Sequence, residues 1–287
     1  MLIQNIFSGL KWIGLIVVTS VSLLAGQETK QEKPGIPDAP EGYEWKQIPE
    51  YTDEFNGAEL DPTKWLPTFP TWKGREPSQF SKENVSVGDG MLRLRSTSRV
   101  ESLEGITNPE KDVWVDAACV SSKKRTVSYG YYETRMKASR LAMTSSFWMQ
   151  GRYSEIDVVE QVGGSVKQPE QASRMLMNTH FFPNGFDTKI ETPQQWKMPV
   201  ESAADFHVYG VWWKDKNTVW FYHNGVKVAE VKPGGDFTES MTMYFDTEVF
   251  LWEGLPTIES LKDPTKNTML VDWVRGWRLE KMPEAKQ

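Results

Sequence analysis

The sequence predicts an all-β protein, a sandwich of two antiparallel sheets. Runs such as M-L-R-L-R-S at 91–96 and Y-Y-E-T-R-M-K at 131–137 have the residue types and alternation of β-strands. Asn224-Gly225 separates V-W-F-Y-H from V-K-V-A-E-V, which is the pattern of a type I′ hairpin. The sequence has no internal repeat, heptad pattern or long amphipathic helix. Many short strands joined by turns favour two packed sheets.

Further strand-like segments follow the same pattern along the chain. They lie at 145–150, 175–182, 208–213, 219–223 and 269–279. A sandwich with one curved sheet presents a concave face. Such a face is a natural groove for an extended polymer.

The chain is expected to begin with a targeting segment at residues 1–26. An apolar run there is too short, and too closely followed by polar sequence, for a spanning helix. The segment ends like a bacterial lipoprotein signal, but Gln27 stands where the lipidated cysteine would be, and Leu24 suits ordinary cleavage poorly. We therefore expect export, to the extracellular space, the periplasm or the outer-membrane surface, with the anchoring left open.

The rest of the chain divides into three parts. Residues 27–44 are polar and proline-rich, as in a tether. Residues 45–282 form one predicted folded domain, and 283–287 form a short tail. A single β-sandwich domain of this size is common.

Composition narrows the function classes. The net charge of −6 argues against nucleic-acid binding, since long-range attraction to polyanions is lacking. The 13 tryptophans fit either a core of large side chains or flat surfaces for sugar rings. Cys119 is the only cysteine and lies in an apolar run, so we expect a buried, inert thiol. No His-Cys cluster suggests zinc, and no glycine-rich phosphate loop occurs.

The stretch S-E-I-D-V-V-E at 154–160 combines three acids with strand-forming apolar residues. Alternation places Glu155 and Asp157 on one face of a strand, but Glu160, five residues after Glu155, falls on the other. A β-bulge would spend one residue without advancing the pairing and return Glu160 to the same face. We expect a bulge in the Val158-Val159 region.

Three interpretations of these acids remain open from spacing alone. Retaining glycosidases need two carboxyl groups about 5–5.5 Å apart. Glutamates four strand positions apart, with Cα atoms about 13 Å apart, could lean together on a concave sheet. Asp157, between them, could hydrogen-bond the nucleophile and share its proton. The alternatives are a solvated strand end and a calcium site, although calcium usually takes its carboxylates from a polar loop.

The E-I-D-V-V-E stretch, preceded by S-S-F-W-M-Q, resembles the E-x-D-x-x-E signature of glycoside hydrolase family 16. Supporting matches cover most of the chain from Trp45 to Leu279 in the expected order: D-E-F-N-G at 53–57, L-D-P-T-K-W at 60–65, N-V-S-V-G-D-G-M-L-R-L at 84–94 and V-D-W-V-R-G-W at 271–277. The resemblance implies a β-jelly-roll and hydrolysis with retention. By position, it implies Glu155 as nucleophile, Glu160 as acid/base and Asp157 as the residue that orients and tunes them.

Within the family, four segments are similar to the red-algal galactan hydrolases, and more to β-porphyranases than to β-agarases or κ-carrageenases. They are W-K-G-R-E-P-S-Q-F at 72–80, W-V-D-A-A-C-V-S-S-K at 114–123, M-T-S-S-F-W at 143–148 and F-D-T-E-V-F at 245–250. Porphyran carries 6-sulfated L-galactose where agarose has an anhydro bridge. Arg75 and Arg152 are the candidates for binding the sulfate, since guanidinium groups match oxyanions, with a solvated ion pair as the alternative for each.

Other residues have a proposed place in the groove. The resemblance implies that Trp148 forms the floor beside the scissile bond. Trp72 and His180 are further substrate-binding candidates, with a core tryptophan and a buried, hydrogen-bonded histidine as the respective alternatives. Glu248 and Glu253 flank a predicted rim loop and are expected at the surface.

The resemblance places Asp272 where many relatives help to hold a structural calcium ion, remote from the groove. No cofactor is otherwise expected.

The resulting hypothesis is a monomeric retaining endo-hydrolase of β-1,4-linked galactose bonds in a red-algal galactan, sulfated or neutral. The expected partner is therefore the polysaccharide porphyran, and the alternative is a β-agarase that acts on agarose. A different class would be a non-catalytic, lectin-like galactan-binding protein, since fold does not fix function. The presence of all three acids favours the enzyme over that lectin and over a purely structural envelope protein.

Overall fold

The structure is a computed structural model, and it describes residues 35–283. The predicted targeting segment, residues 27–34 of the predicted tether and the last four residues lie outside this range. Among the described residues no helix is long and apolar enough to cross a membrane.

The described chain is almost entirely β-structure, as predicted. Its strands, in chain order, are β1 (Tyr43–Gln47), β2 (Trp65–Leu66), β3 (Ser78–Phe80), β4 (Val85–Gly88), β5 (Met91–Arg95), β6 (Thr97–Ser98), β7 (Val115–Ala117), β8 (Cys119–Ser122), β9 (Gly130–Lys137), β10 (Ser145–Gln150), β11 (Ser154–Gln161), β12 (Arg174–Phe181), β13 (Ile190–Glu191), β14 (Gln194–Lys197), β15 (His207–Asp215), β16 (Thr218–His223), β17 (Val226–Val231), β18 (Thr242–Asp246) and β19 (Thr268–Lys281). One short α-helix, α1 (Ile258–Lys262), and four 3₁₀ turns, at 49–51, 82–84, 169–173 and 186–188, complete the described elements.

Two large antiparallel sheets form the sandwich. The outer sheet has the order β17-β16-β15-β9-β19-β5-β4, with β1 also paired to β19. The second, here called the groove sheet, has the order β13-β12-β11-β10-β18-β8-β2, with β14 also paired to β12. A small third sheet joins β3, β7 and β6. The all-β, two-sheet prediction is confirmed.

The main core lies between the two large sheets. Alternate residues of the groove sheet, such as Phe147, Met149 and Ile156, point into it and are fully buried. Residues such as Val211 and Phe221 face them from the outer sheet. Burying one face of each sheet leaves the other face of the groove sheet free to carry polar side chains.

The predicted hairpin and the predicted thiol are confirmed. Asn224 and Gly225 join β16 to β17 with φ values of 48° and 78°, the left-handed conformation that a type I′ turn requires at both positions. Cys119 is fully buried in β8. Burial raises the pKa of its thiol well above the ordinary value, with the charge of Asp246 adding to the effect.

The described part of the predicted tether lies against the outer sheet. Tyr131 donates a hydrogen bond from its hydroxyl to the Gly35 carbonyl at 3.2 Å, and the Trp45 indole donates to the Pro37 carbonyl at 2.7 Å. Ile36 packs on the same aromatic cluster. Tyr43 and Glu44, also inside the predicted tether, already belong to β1. Residues 35–44 are therefore attached to the domain, because aromatic donors of the outer face find their acceptors there.

Candidate active site

The three acids lie on β11, in the middle of the groove sheet, and a bulge brings them to one face. Phe147 of β10 pairs with Val159, but the next residue, Trp148, pairs with Asp157, so Val158 is the extra residue. This confirms the predicted bulge and assigns it to one position. Val158 and Val159 are both fully buried, whereas Glu155 and Glu160 are partly exposed.

The pairing register gives each acid a defined neighbour on β10. Glu155 lies opposite Gln150, Asp157 opposite Trp148, and Glu160 opposite Ser146. Gln150 donates a hydrogen bond from its amide nitrogen to the Glu155 carboxylate. The acids are thus arranged along one strand, beside an amide, an indole and a small hydroxyl.

His180 of β12 holds the first two acids from the other side. It pairs directly with Glu155 in the strand register. Its Nε2 lies 2.8 Å from Asp157 Oδ2 and 3.5 Å from Glu155 Oε1. Its Nδ1 lies 3.3 Å from Glu191 Oε1 at the edge of the sheet. The histidine therefore connects the acid strand to a carboxylate on β13.

The turn before β11 is held by a side chain from a distant loop. The Glu239 carboxylate accepts hydrogen bonds from the backbone N–H groups of Arg152 and Tyr153, at 2.8 and 2.5 Å. It also accepts one from the Ser154 hydroxyl at 2.8 Å. A side chain on Gly151 would collide with the Glu239 carboxyl, since a Cβ there would lie 2.4 Å from its carbon. This contact fixes where the acid strand begins.

Burial and mutual repulsion make the acids hard to ionise. Burial, with the neighbouring charge of Asp157, raises the pKa of Glu155 to about 8. Burial, followed by the charge of Glu248, raises the pKa of Asp157 to about 8. Burial raises the pKa of Glu160 well above its ordinary value, with the charges of Asp157, Glu248 and Glu155 adding to it. This face of the groove sheet therefore retains protons at neutral pH.

The acids line a cavity of about 830 Å³. Around them lie polar residues, and aromatic side chains form the walls. The wall over β10 and β18 is a stack of rings, with Trp148 4.6 Å and Phe69 4.5 Å from Tyr244. The complete lining is Phe69, Thr71, Trp72, Arg75, Trp148, Gln150, Glu155, Asp157, Glu160, Asn178, His180, Phe182, Phe186, Lys189, Glu191, Glu248, Phe250 and Trp252.

Besides Arg75, three of the predicted substrate-binding residues line this cavity. Trp148 is 8% exposed and belongs to the ring stack of the cavity wall. Trp72 packs edge-on against Phe69 and Phe80 while reaching the cavity. His180 is buried and hydrogen-bonded, and it also lines the cavity, so its contact with the substrate stays a prediction.

The two predicted sulfate ligands have different positions. Arg75 lines the cavity, where its Nε donates to Glu248 Oε2 at 2.6 Å and its guanidinium lies 5.1 Å from the Phe250 ring centre. Arg152, in the described turn before β11, is exposed, lies outside the cavity lining and has its guanidinium 5.1 Å from the Tyr153 ring centre. Arg152 lies only three residues before Glu155 in the sequence, but this closeness does not bring it into the lining of the cavity.

The prediction that Glu248 and Glu253 lie at the surface is wrong. Glu248 is 6% exposed and forms part of the cavity wall with Arg75. Glu253 is 1% exposed and accepts hydrogen bonds from the Ser165 hydroxyl at 2.6 Å and the Gln168 amide at 3.1 Å. The loop after β11 covers the Glu253 carboxylate, and Arg75, from the segment between β2 and β3, covers that of Glu248, which a local sequence pattern does not reveal.

The expected calcium ligand Asp272 lies on the outer sheet, in β19. Its carboxylate is 2.5 Å from the Arg135 guanidinium, so a cation of the protein already neutralises it. In residues 35–283, Asp272 belongs to no group of three acidic, histidine or cysteine side chains with their ligand atoms together. The ion pair with Arg135 competes with calcium for the Asp272 carboxylate, and the calcium site stays a prediction.

The described residues bring one such group together, formed by Glu155, Asp157 and His180 with their ligand atoms within 4.8 Å. The hydrogen bond between His180 and Asp157 accounts for this proximity without a metal.

Sequence reasoning missed several cavity residues. Phe186, Lys189 and Glu191 come from the connection after β12, and Phe250 and Trp252 come from the loop after β18. Phe186 and Trp252 are 61% and 53% exposed, which is unusual for large aromatic side chains. Phe186 begins the 3₁₀ turn at 186–188 and Trp252 lies in an irregular loop, so strand alternation gives no signal for either.

A two-sheet β-sandwich whose groove combines clustered carboxyl groups with aromatic walls is the architecture of a glycoside hydrolase. The sequence model described as "Beta-porphyranase A-D, GH16 domain" matches residues 45–279. The chain belongs to this family.

Individual relatives agree with the family assignment. The chain is 37% identical to beta-porphyranase B of Phocaeicola plebeius, over 87% of this chain and 89% of that protein. It is 34% identical to beta-porphyranase E of Zobellia galactanivorans, over 84% and 90%. The crystal structure of a beta-porphyranase from the human gut bacterium Bacteroides plebeius matches with a TM-score of 0.75 and 35% identity, over 87% of this chain and 96% of that one.

Proposed function

We propose that the protein is a retaining endo-hydrolase of β-1,4-linked galactose bonds in porphyran. The observation that carries this proposal is the bulge at Val158, which turns three acids of one strand toward a single aromatic-walled groove. The family membership and the similarity to beta-porphyranases support porphyran as the polymer.

Glu160 is the proposed acid/base. Crowding by the other carboxyl groups favours its protonated form, as a general acid requires. In the first step it gives its proton to the leaving oxygen while Glu155 attacks the anomeric carbon. In the second step Glu160 takes a proton from water, which releases the sugar from Glu155.

Asp157 and His180 prepare Glu155 for attack. Burial raises the pKa values of both Asp157 and Glu155 to about 8, so the two carboxyl groups hold a shared proton at neutral pH and only one of them carries a negative charge. Gln150 donates to Glu155 as well, and His180 lies within 3.5 Å of its carboxylate. These contacts stabilise the nucleophile before attack and when it leaves the glycosyl-enzyme.

The proposed sulfate contact is Arg75. The bond to Glu248 uses Nε, and a guanidinium has four further N–H groups. Three aromatic rings lie near its guanidinium carbon, with the ring centres of Phe250 at 5.1 Å and of Trp72 and Trp252 at 6.0 Å, and they restrict the side chain. A guanidinium held in the groove wall can donate two parallel hydrogen bonds to two oxygens of a sulfate group.

The proposal extends to where the protein works. A polymer bound in an open groove is cut within its chain. A long polysaccharide does not enter the cytoplasm, so an enzyme that cuts it acts outside. We therefore keep the expectation that the leader at 1–26 directs export. Because one chain supplies all the cavity residues named above, a monomer suffices.

Reducing-sugar release from porphyran and from agarose, measured side by side with wild type and Glu155→Gln, tests the proposal. We expect release from porphyran by the wild type and its loss in the variant. Release from agarose alone would overturn the substrate and leave the acid strand intact. Binding of either polymer without release would favour a lectin-like protein.

A further inference from the structure

Residues 35–37, here called the strap, lie on the face of the outer sheet that is turned away from the main core. The Ile36 side chain packs on the aromatic cluster of that face. The Gly35 backbone lies against the turn between β16 and β17, since a Cβ on Gly35 would be 2.5 Å from the Gly225 Cα. The strap therefore occupies a defined position on the sheet.

The Glu133 carboxyl of β9 lies under the strap, in a row of residues that crosses the outer sheet. Glu133 is opposite Gly210 of β15 on one side and Arg275 of β19 on the other. Gly210 leaves room for the Tyr131 hydroxyl, because a Cβ there would lie 2.4 Å from it. Glu133 is fully buried, and a Cβ on Gly35 would lie 3.7 Å from its Oε2. Gly35 thus covers an acid that the groove does not use.

One hydroxyl connects this carboxyl to the strap. The Tyr131 hydroxyl oxygen lies 3.0 Å from Glu133 Oε2 and 3.2 Å from the Gly35 carbonyl oxygen. A tyrosine hydroxyl has a single hydrogen, so it donates one well-aligned bond and can accept another. Both bonds form together when Glu133 is protonated, because Glu133 then donates to Tyr131 and Tyr131 donates to Gly35.

Loss of the Glu133 proton breaks this chain of hydrogen bonds. The Tyr131 hydrogen then turns to the carboxylate, and the Gly35 carbonyl loses its donor. The other carboxylate oxygen, Oε1, is shielded from water and makes no hydrogen bond within the described residues 35–283. A buried charged oxygen without a partner is costly, and lifting the strap opens the carboxyl to water. Ionisation of Glu133 and closure of the strap therefore oppose each other.

The groups around Glu133 leave this cost in place. Gly210 and the strap bring no charge, and Tyr222 of β16 packs its ring edge-on against Tyr131. Arg275 is the facing cation, and Glu54 already holds it through two bonds of 2.7 and 2.9 Å. Burial raises the pKa of Glu133 to about 7, although the Tyr131 hydrogen bond and the Arg275 charge act in the opposite direction.

We propose that the strap is a pH-sensitive closure of the outer sheet, held by the hydrogen-bond chain from protonated Glu133 through Tyr131 to Gly35 and released when Glu133 loses its proton. Acid conditions thus hold the N-terminal side of the described chain on the domain, and neutral conditions free it. The strap and the groove belong to different sheets, so this release is independent of the proposed hydrolysis.

The direction of the pH dependence follows from linkage. Under the strap, Glu133 binds its proton more tightly than an exposed glutamate, whose pKa is 4.5. The strap is therefore held most firmly below about pH 4.5, and its attachment weakens as the pH rises to about 7. Each unit by which the strap raises the pKa of Glu133 corresponds to about tenfold in the equilibrium between closed and open strap.

A single cysteine placed on the strap tests the proposal. Cys119, the only natural cysteine, is fully buried, so Ile36→Cys supplies one thiol that the closed strap protects from dithiodipyridine. Val226→Cys, at an exposed position of β17 in the same sheet, is the reference for the pH dependence of the thiol itself. We expect the rate of Ile36→Cys relative to Val226→Cys to rise at least about tenfold between pH 5 and pH 8.

Two further changes in the Ile36→Cys protein separate the chain from other effects of pH. Glu133→Gln cannot ionise and keeps a donor to Tyr131, so the relative rate should stay low at both pH values. Tyr131→Phe removes the connection, so the relative rate should already be high at pH 5.

Three results would overturn the proposal: a relative rate that does not change with pH, a rise that persists in Glu133→Gln, or full protection of Tyr131→Phe at pH 5. If Ile36→Cys itself reacts as fast as Val226→Cys at pH 5, Ala39→Cys becomes the reporter, because it leaves the Ile36 side chain in place.

Discussion

At the scale of single residues, the groove contains several buried carboxyl groups that repel one another. Glu155, Asp157, Glu160 and Glu248 line the same cavity, and Arg75 is bonded to the last of them. Burial and repulsion raise the pKa values of Glu155, Asp157 and Glu160 above their ordinary range. A site of this kind costs stability, and its benefit is a proton held where a glycosidic oxygen will need it.

The sulfate contact gives the residue-scale prediction. Arg75→Gln should lower kcat/KM on porphyran by about 10–100-fold, the effect of losing one charge-assisted hydrogen bond. Any residual activity on agarose, which lacks the sulfate, should change much less. The measurement is initial rates on both polymers.

Two further variants control this comparison. Arg152→Gln removes an arginine that lies outside the cavity lining, so both rates should stay at the wild-type level. Arg75→Gln/Glu248→Gln avoids leaving the Glu248 charge buried without its partner. Equal losses on porphyran and agarose in the double variant would show that Arg75 does not recognise sulfate.

At the scale of elements, strand β11 does most to define the site. Val158 is the extra residue, so Glu160 shares a face with Glu155 although five residues separate them. Glu239 fixes the start of the strand through three hydrogen bonds, and His180 on β12 holds its acids from the side. The contacts of Glu239 thus set where the acids lie along the strand, and the bulge at Val158 sets the side of the sheet to which Glu160 points.

A third valine inserted after Val159 tests the bulge. If the bulge keeps its present size, Glu160 turns into the core, and activity should fall about 10²–10⁴-fold, as for loss of a general acid. Deleting Val158 instead removes the extra residue, and Glu160 stays on the groove face. That variant should keep measurable activity while losing about 1–3 kcal/mol of unfolding free energy for its buried side chain.

Activity is measured on porphyran, and folding is checked by circular dichroism. A folded insertion variant with wild-type activity would refute the assignment of Glu160 to the groove face by the bulge.

At the scale of the whole molecule, the two sheets have separate tasks. The outer sheet is covered by an aromatic cluster and residues 35–37, whereas the groove sheet leaves one face open for a polymer. Both carry buried acids, since burial raises the pKa of Glu133 on β9 to about 7. The fold as a whole should therefore be sensitive to pH.

The sign of this sensitivity follows from linkage. Glu155 and Asp157, with folded pKa values near 8, bind protons more tightly in the folded chain than in the unfolded one. Their stabilising contribution is complete below about pH 4.5 and is lost as the pH rises to about 8. Surface acids with lowered pKa values, such as Glu50 and Glu101, act in the opposite sense but only at lower pH.

We therefore expect Tm to fall between pH 5 and pH 8.5. Glu155→Gln should have a Tm about 2–6 °C above the wild type at pH 8, and the difference should vanish at pH 5. Differential scanning calorimetry in buffers of equal ionic strength gives both values. If the difference in Tm between the variant and the wild type is equal at the two pH values, the pKa of Glu155 is not raised in the folded protein.

The sequence predicted the features that depend on neighbouring residues alone, namely the strands, the hairpin and the bulge. Alternation identified the long strands, Asn224-Gly225 the hairpin, and the misplaced Glu160 the bulge. The same alternation in F-D-T-E-V-F could have placed Asp246 and Glu248 on the groove face, beside the acids of β11.

The positions of side chains that depend on contacts between distant segments could not be predicted from alternation. Glu253 is buried because the chain near Ser165 and Gln168 covers it, and Arg152 lies outside the cavity lining although it is close to Glu155 in the sequence. Glu191 reaches His180 across strands that the sequence does not show to be neighbours. Such contacts depend on the loops and on the order of the strands in the sheet, and neither produces a periodic pattern in the sequence.

The central claim is that Glu155 and Glu160 act as nucleophile and acid/base of a retaining galactan hydrolase. Proton NMR of the reducing ends released from porphyran in the first minutes, before mutarotation, tests it most directly. Two inversions at the anomeric carbon predict that the β-anomer appears first and then converts to the equilibrium mixture. The α-anomer appearing first would contradict a glycosyl-enzyme on Glu155.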